Sequence, residues 1–209
     1  MFRAIRVRKV STMQKVGLST HDTILKEAKR LFWFKGFDRT SVRNIATVVG
    51  CTPGNIYNHF PSKEDILYKV LLSEMTKLID AIQPLENDLD TSQIEQLRTF
   101  IGIHVEQTLA LPKGELLLFE MEMGHLSPSH RAEVIQLRDS YDRILRKIIR
   151  RGVDGGVFAA VNEKLVSYAI SSMIVRARLW YSPKGELSPS QVSNGIFELF
   201  LNGLGLRRQ

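Results

Sequence analysis

Apolar residues recur at helical spacing along almost the whole chain, and no stretch alternates apolar and polar positions as a half-buried strand does. Ile24, Leu25, Ala28, Leu31 and Phe32 form one stripe of a helix that starts near Thr20 and stops at Gly36. Val42, Ile45, Ala46 and Val49 repeat the pattern in a shorter helix, with Thr40 as its expected N-cap and Gly50 at its end. Thr52 is the expected cap of a third helix. Pro53 suits its first position, Ile56 and Phe60 face inward, and Pro61 closes it. Ser62 then opens a long helix to about Ile82. After a loop at Pro84–Asp90, further helices are expected from Ser92 to about Ala110, after Pro112 to Gly124, and from Ser127 to about Arg151. Two more run from about Asn162 to Trp180 and from Ser188 into Gly203 and Gly205. Ser188, Pro189 and Gln191 have capping-box spacing. The expected fold is all-α, with no internal repeat.

The segment TPGNIYNHFPSKEDI, residues 52–66, places two prolines around a helix only a few residues long. Together with residues 40–50 it has the spacing of a helix-turn-helix, whose second helix enters the major groove of DNA. The residue types suit that use. Gly54 lets backbone approach a phosphate, and Thr52 with the first-turn N–H groups favours an anion. Asn55 can reach a base edge or a phosphate. Tyr57 and His59 can donate to phosphates, and Lys63 adds a cation. Arg43 falls at the third position after a Thr40 cap, where a phosphate would offset its poor fit to the helix dipole. Ile56 and Phe60 read as core, and Tyr57 also suits plain aromatic packing.

Charge sharpens this reading. The net charge is +7, and residues 1–70 hold 13 Lys and Arg against 5 Asp and Glu, whereas residues 71–209 hold 16 against 17. The excess is confined to the first third, as expected of a segment built to meet a polyanion. Residues 1–18 carry Arg3, Arg6, Arg8, Lys9 and Lys15 without an acid and read as a flexible basic arm. No apolar run approaches the ~18 residues of a membrane helix. The single Cys51 cannot form an internal disulfide, so nothing points to secretion and a cytoplasmic protein without membrane contact is expected.

Residues 23–67, TILKEAKRLFWFKGFDRTSVRNIATVVGCTPGNIYNHFPSKEDIL, closely resemble the DNA-binding domain of the TetR family of bacterial transcriptional regulators. The Tyr-x-His-Phe-x-x-Lys ending, Tyr57 to Lys63, is a specific part of that resemblance. After the basic arm over 1–18, it implies a three-helix DNA-binding head over 19–66 and a helical ligand-binding and dimerisation body over 67–209. It further implies a homodimer on a near-palindromic double-stranded operator, a small-molecule effector, and no cofactor. It places Thr40, Arg43, Thr52, Pro53, Gly54, Asn55, Tyr57, His59 and Lys63 at the DNA surface.

The body resembles the members of this family that sense acyl-coenzyme A thioesters, through EMGHLSPSHRAEVIQLRDSYDRILRKIIRRGVDGGVF (122–158) and RARLWYSPKGELSPSQV (176–192). Phe119, Met121 and Met123 offer flexible apolar walls, although the same residues suit plain core equally well. Arg176 and Trp180 share a helix face, so a guanidinium and an indole stand together to hold a phosphate and stack an adenine; a surface ion pair is the alternative for Arg176. His104 and His125 can donate to a carbonyl. Val166, Ala169, Ile170 and Met173, with Val192, Ile196, Leu199, Phe200 and Gly203, suit either a dimer interface or monomer core.

Two other classes stand against this reading. A helical enzyme would need a nucleophile or metal, and Cys51 sits at the turn of the helix-turn-helix, where a small residue packs inertly. The five histidines show no metal-ligand spacing, and no phosphate-binding glycine loop appears. A helical adaptor without DNA binding leaves the charge asymmetry unexplained. Within the regulator class, a drug or free acid is the alternative effector.

Overall fold

The computed structural model describes residues 19–110 and 122–205, with side chains as far as Asn202. The proposed basic arm at 1–18, and Phe119 and Met121 of the proposed ligand wall, lie outside the described residues. Among the described residues the regular elements are all helices, with no strand. In chain order the helices are α1 Thr20–Lys35, α2 Val42–Val49, α3 Pro53–His59, α4 Lys63–Ile82, α5 Gln93–Leu109, α6 Pro128–Asp154, α7 Glu163–Trp180 and α8 Pro189–Gly205. Short 3₁₀ turns at Gln83–Glu86 and Met123–His125 precede α5 and α6.

Most helix starts follow one local device. Ser19, Ser62, Ser92, Ser127 and Asn162 each accept a backbone N–H from the residue three positions on, which satisfies a first-turn donor. At α8 the Gln191 N–H donates to Ser188 Oγ while the Ser188 N–H donates to Gln191 Oε1, completing the expected box. The start of α2 differs from expectation. Its cap is Ser41, paired reciprocally with Asn44, and Thr40 is not the cap. Thr40 is instead fully buried, and its hydroxyl donates toward the carbonyls of Leu31 and Gly36. The one-residue shift also moves Arg43 from the third helical position to the second. α6 runs three residues beyond the expected end at Arg151. It packs so closely on the following loop that a Cβ on Gly152 would lie 2.1 Å from the Phe158 ring.

Two cores result. The head core gathers Ile24, Phe32, Ile45, Ile56, Phe60 and Ile66 from α1 to α4, and extends along α4 to Leu71. The body core joins Leu78, Ile79 and Ile82 of the same α4 to α5, α6, α7 and α8. The boundary drawn after residue 66 therefore falls inside one continuous helix. Of the residues read as either interface or core, Ile170, Val192 and Ile196 are buried in the body core.

A few polar groups are enclosed with partners. Asp142 on α6 accepts a hydrogen bond from Ser167 on α7 and pairs with Arg146. Arg151 donates to the carbonyls of Leu85 and Asp88 and to Gln96 Oε1, which fastens the connection between α4 and α5. His104 on α5 is buried, and its Nδ1 lies 2.9 Å from the Tyr141 hydroxyl on α6. Burial disfavours the imidazolium and pulls the His104 pKa down to about 4, while it pushes the Tyr141 phenol well above its ordinary range. The unfolded chain therefore takes up a proton at His104 before the folded chain does. The stability this residue contributes is complete above the unfolded histidine range, near pH ~6.5, and is lost as pH falls toward its folded value. We expect the denaturant midpoint to drop between about pH 6.5 and pH 4, and the drop to be visibly flatter in His104→Phe. Parallel pH profiles for the two proteins would show that His104 does not titrate as its burial requires.

Candidate nucleic-acid interface

The turn between α2 and α3 is set by Gly50, whose φ of 81° and ψ of 30° place it in the left-handed region that glycine enters without strain. The N–H groups of Gly50 and Cys51 both donate to the Ala46 carbonyl, so α2 ends sharply and α3 begins two residues later. Cys51 is half-buried against the head core. Thr52 caps α3 by accepting the Asn55 N–H at 3.2 Å. Its own hydroxyl proton is not spent in that bond and remains a donor.

α3 is held by its inner face alone. Ile56 and Phe60 are buried in the head core, while Thr52, Gly54, Asn55, Tyr57 and His59 are exposed and Pro53 is half-buried. Tyr57 is 53% exposed, which removes the plain packing alternative for it. Arg43 is exposed on α2. Of the nine proposed contacts, six are exposed, Pro53 and Lys63 are half-buried, and only Thr40 is buried. Asn58 belongs to the same exposed face, one turn after Gly54 and Asn55, and sequence reasoning misses it. It misses His21 too. That residue reaches this end of α3 from α1, stacked on Phe60 with ring centroids 4.7 Å apart and 6.4 Å from His59. Nothing in the local pattern of α1 marks it.

Thr40 is buried, and Lys63 is shared with a contact inside the head. Thr40 has no exposed surface, so it serves by fixing the turn between α1 and α2. Lys63 is half-buried; its Nζ donates to the Phe37 carbonyl at 2.9 Å and lies 4.0 Å from the centre of the Phe37 ring. That ammonium fastens the α1–α2 connection to the first turn of α4.

The proposed ligand residues do not converge on one described cavity. Met123 lies in the turn before α6 and packs against the head core. His104 lies in the body, bonded to Tyr141. Arg176 and Trp180 are exposed on the outer face of α7, with Trp180 58% exposed. The cation that faces inward from this helix is Arg178, whose guanidinium carbon lies 5.6 Å from the Trp33 ring of α1. The outer stripe carries further apolar residues: Leu165 is 67% and Tyr168 49% exposed, followed by Met173 and Leu179, with Leu199 exposed on α8. Among the described residues no helix is long and apolar enough to cross a membrane.

Comparison with known proteins agrees with this geometry. Residues 24–70 match the family described as Bacterial regulatory proteins, tetR family, and residues 90–204 match that described as Tetracyclin repressor-like, C-terminal domain. The HTH-type transcriptional repressor KstR2 of Mycolicibacterium smegmatis is 28% identical over 188 residues, which is 89% of this chain and 91% of the relative. The crystal structure of the TetR family transcriptional regulator PfmR from Thermus thermophilus superimposes with a TM-score of 0.78 at 34% identity, over 88% of this chain and 99% of that one. AibR, solved in complex with isovaleryl coenzyme A and operator DNA, shares the fold with a TM-score of 0.78 at 20% identity, over 87% of this chain and 97% of its own. The chain belongs to the TetR family: it is a DNA-binding, helix-turn-helix transcriptional regulator of the ligand-responsive repressor type.

Proposed function

We propose that the protein represses transcription as a homodimer on a near-palindromic operator, and that an acyl-coenzyme A thioester of lipid, steroid or aromatic-acid catabolism releases it. The observation that carries the DNA part is the division of α3 into a buried apolar face and an exposed face of Thr52, Asn55, Tyr57, Asn58 and His59. A helix anchored on one side presents the other as a unit, and its polar groups match phosphates and base edges. The dimer reading is supported by the apolar stripe on α7 and α8. Leu165, Tyr168, Leu179, Trp180 and Leu199 form a larger exposed apolar surface than scattered single residues, and a two-fold axis would cover it with its own copy. A two-fold dimer reads two half-sites about one helical turn apart, or a multiple of that.

The effector assignment is supported by the resemblance of residues 122–158 and 176–192, and by two proteins of the same fold. AibR was solved with isovaleryl coenzyme A, and the other is the ketosteroid transcriptional regulator KstR2 of Mycobacterium tuberculosis. On this chain, Arg176 and Trp180 would hold the nucleotide at the edge of the dimer face, where the partner copy shields them from water. His104, beside Tyr141 inside the body, would donate to the thioester carbonyl.

Duplexes selected by the protein from a random library provide the probe for both parts. Tyr57→Phe removes one phosphate donor and should weaken binding to every duplex alike, by about fivefold for one hydrogen bond. Asn55→Ala should instead relax the preference at one base position, worth about 1–3 kcal/mol of discrimination. Uniform loss in Asn55→Ala would make Asn55 a phosphate contact.

Titrating acyl-coenzyme A esters of several chain lengths and ring types against the selected duplex tests the effector. Release requires tighter binding to the conformation that does not fit DNA, and the coupling expected is about 1–3 kcal/mol, or about 5- to 150-fold in DNA affinity. Loss of that response in Arg176→Ala is expected. A response to a free acid or a drug, with none to any thioester, would leave a repressor of this family with a different effector.

A further inference from the structure

Trp33 stands near the end of α1, half-buried, with two cations at its ring. Lys29 Nζ, one turn earlier, lies 4.8 Å from the ring centre, and the Arg178 guanidinium carbon of α7 lies 5.6 Å from it. Lys29 also pairs with Glu74 of α4 at 2.7 Å, so three helices meet around this side chain. Ring packing accounts for the cations but not for the indole nitrogen. Trp33 Nε1 is buried, and among the described residues it has no hydrogen-bond partner. Arg151 Nε shares that condition, but the other nitrogens of its guanidinium make three bonds. An indole has one donor and no other polar atom, so in Trp33 the whole hydrogen-bonding capacity is unused. A donor shielded from water without an acceptor is costly, and such groups are rare in folded proteins.

We propose that the Trp33 indole N–H, between Lys29 and Arg178, is an anion-binding subsite for the effector. It donates to a charged oxygen, which is a phosphate in a thioester and the carboxylate in a free acid.

The local field has the sign an anion needs. Lys29 and Lys77 both contact Glu74, at 2.7 Å and 3.2 Å, and Arg178 adds a third positive charge at the ring; Glu74 offsets one of the three. Desolvation pushes the Glu74 carboxyl upward, yet the bonds and charges of Lys29 and Lys77 keep it below its ordinary range. A carboxylate that stays ionised against its own burial lies in positive surroundings. Lys29 is engaged by Glu74, and Arg178 has a contact of its own, so these two supply field while the indole supplies the open donor. A hydrogen bond to an ionised acceptor is about twice as strong as a neutral one.

The position suits a ligand as well. α4 is buried in the head core as far as Leu71 and in the body core from Leu78, whereas residues 72–76 between them are only half-buried. Glu74, the partner of Lys29, lies in that stretch. Arg178 is two residues from both Arg176 and Trp180, but faces α1 where they face outward. The subsite therefore adds a second positive station beside the residues proposed for the nucleotide.

This inference deepens the effector reading above, and the two are separable by experiment. Trp33 and Trp180 are the two tryptophans of the chain, so isotope-labelled indole gives two N–H signals in the full-length protein. The signal missing from Trp33→Phe belongs to Trp33. Three probes are titrated: acyl-coenzyme A esters, their free acids and inorganic pyrophosphate. Pyrophosphate and at least one ester should move the Trp33 proton downfield, as a new hydrogen bond to an anion does. Trp33→Phe keeps a ring but loses the donor, and should weaken the ester about tenfold. Glu74→Gln removes a negative charge from the cluster and should tighten it about threefold, an effect in the opposite direction that lost packing does not produce. Movement with free acids and pyrophosphate but with no ester keeps the subsite and replaces the thioester by a carboxylate. An ester that releases DNA while the Trp33 signal stays still, with unchanged affinity in Trp33→Phe, keeps the effector and overturns the subsite. A Trp33 signal that answers to none of the three probes overturns the proposal outright.

Discussion

One helix belongs to two cores. The first half of α4 contributes Ile66, Leu67, Tyr68 and Leu71 to the head, and the second half contributes Leu78, Ile79 and Ile82 to the body. Those side chains leave water only if the head and the body both pack against the same rigid rod. Burying a side chain of this size fully is worth about 1.5–3 kcal/mol, so neither half of the helix is easily surrendered. α4 therefore ties the packing of the head to the packing of the body.

The polar contacts across the seam follow from this arrangement. Lys29 on α1 pairs with Glu74 on α4 at 2.7 Å, beyond the last head-core residue of that helix. Glu74 is held below its ordinary carboxylate range: desolvation is the largest single influence and acts upward, but the bonds and charges of Lys29 and Lys77 together outweigh it. The Trp33 ring, one turn after Lys29 on α1, has Lys29 Nζ 4.8 Å and the Arg178 guanidinium carbon of α7 5.6 Å from its centre, so the head also touches α7. Each contact is individually modest, and together they join α1 to both α4 and α7.

Much of this is legible from local signals. Helix starts at Ser62, Ser92, Ser127 and Ser188 are readable because a cap and its partner lie three residues apart. The helix-turn-helix is readable because Gly50, Thr52 and Pro53 act on their own neighbours. The failures have tertiary causes. Thr40 and Ser41 are both good caps, and only the carbonyls of Leu31 and Gly36 decide that Thr40 turns inward. Lys63 carries the family's motif, and its added bond to the Phe37 carbonyl is a tertiary contact that nothing near residue 63 reveals. α7 is apolar on more than one face, so periodicity does not distinguish the buried Ile170 and Ile174 from the exposed Leu165 and Tyr168. Glu122 reads as an ordinary acid until its partner 85 residues away is known.

The central claim is that α3 reads DNA from a dimer held together through α7 and α8. The structure of the full-length protein on its selected duplex tests it most directly. Two copies are expected on a two-fold axis, with the Thr52–His59 face of each α3 in successive major grooves about one helical turn, ~34–36 Å, apart. The exposed stripe from Leu165 to Trp180 should be covered by the partner copy. A single copy on the duplex, or α3 held outside the groove with the apolar stripe still open to water, would contradict it.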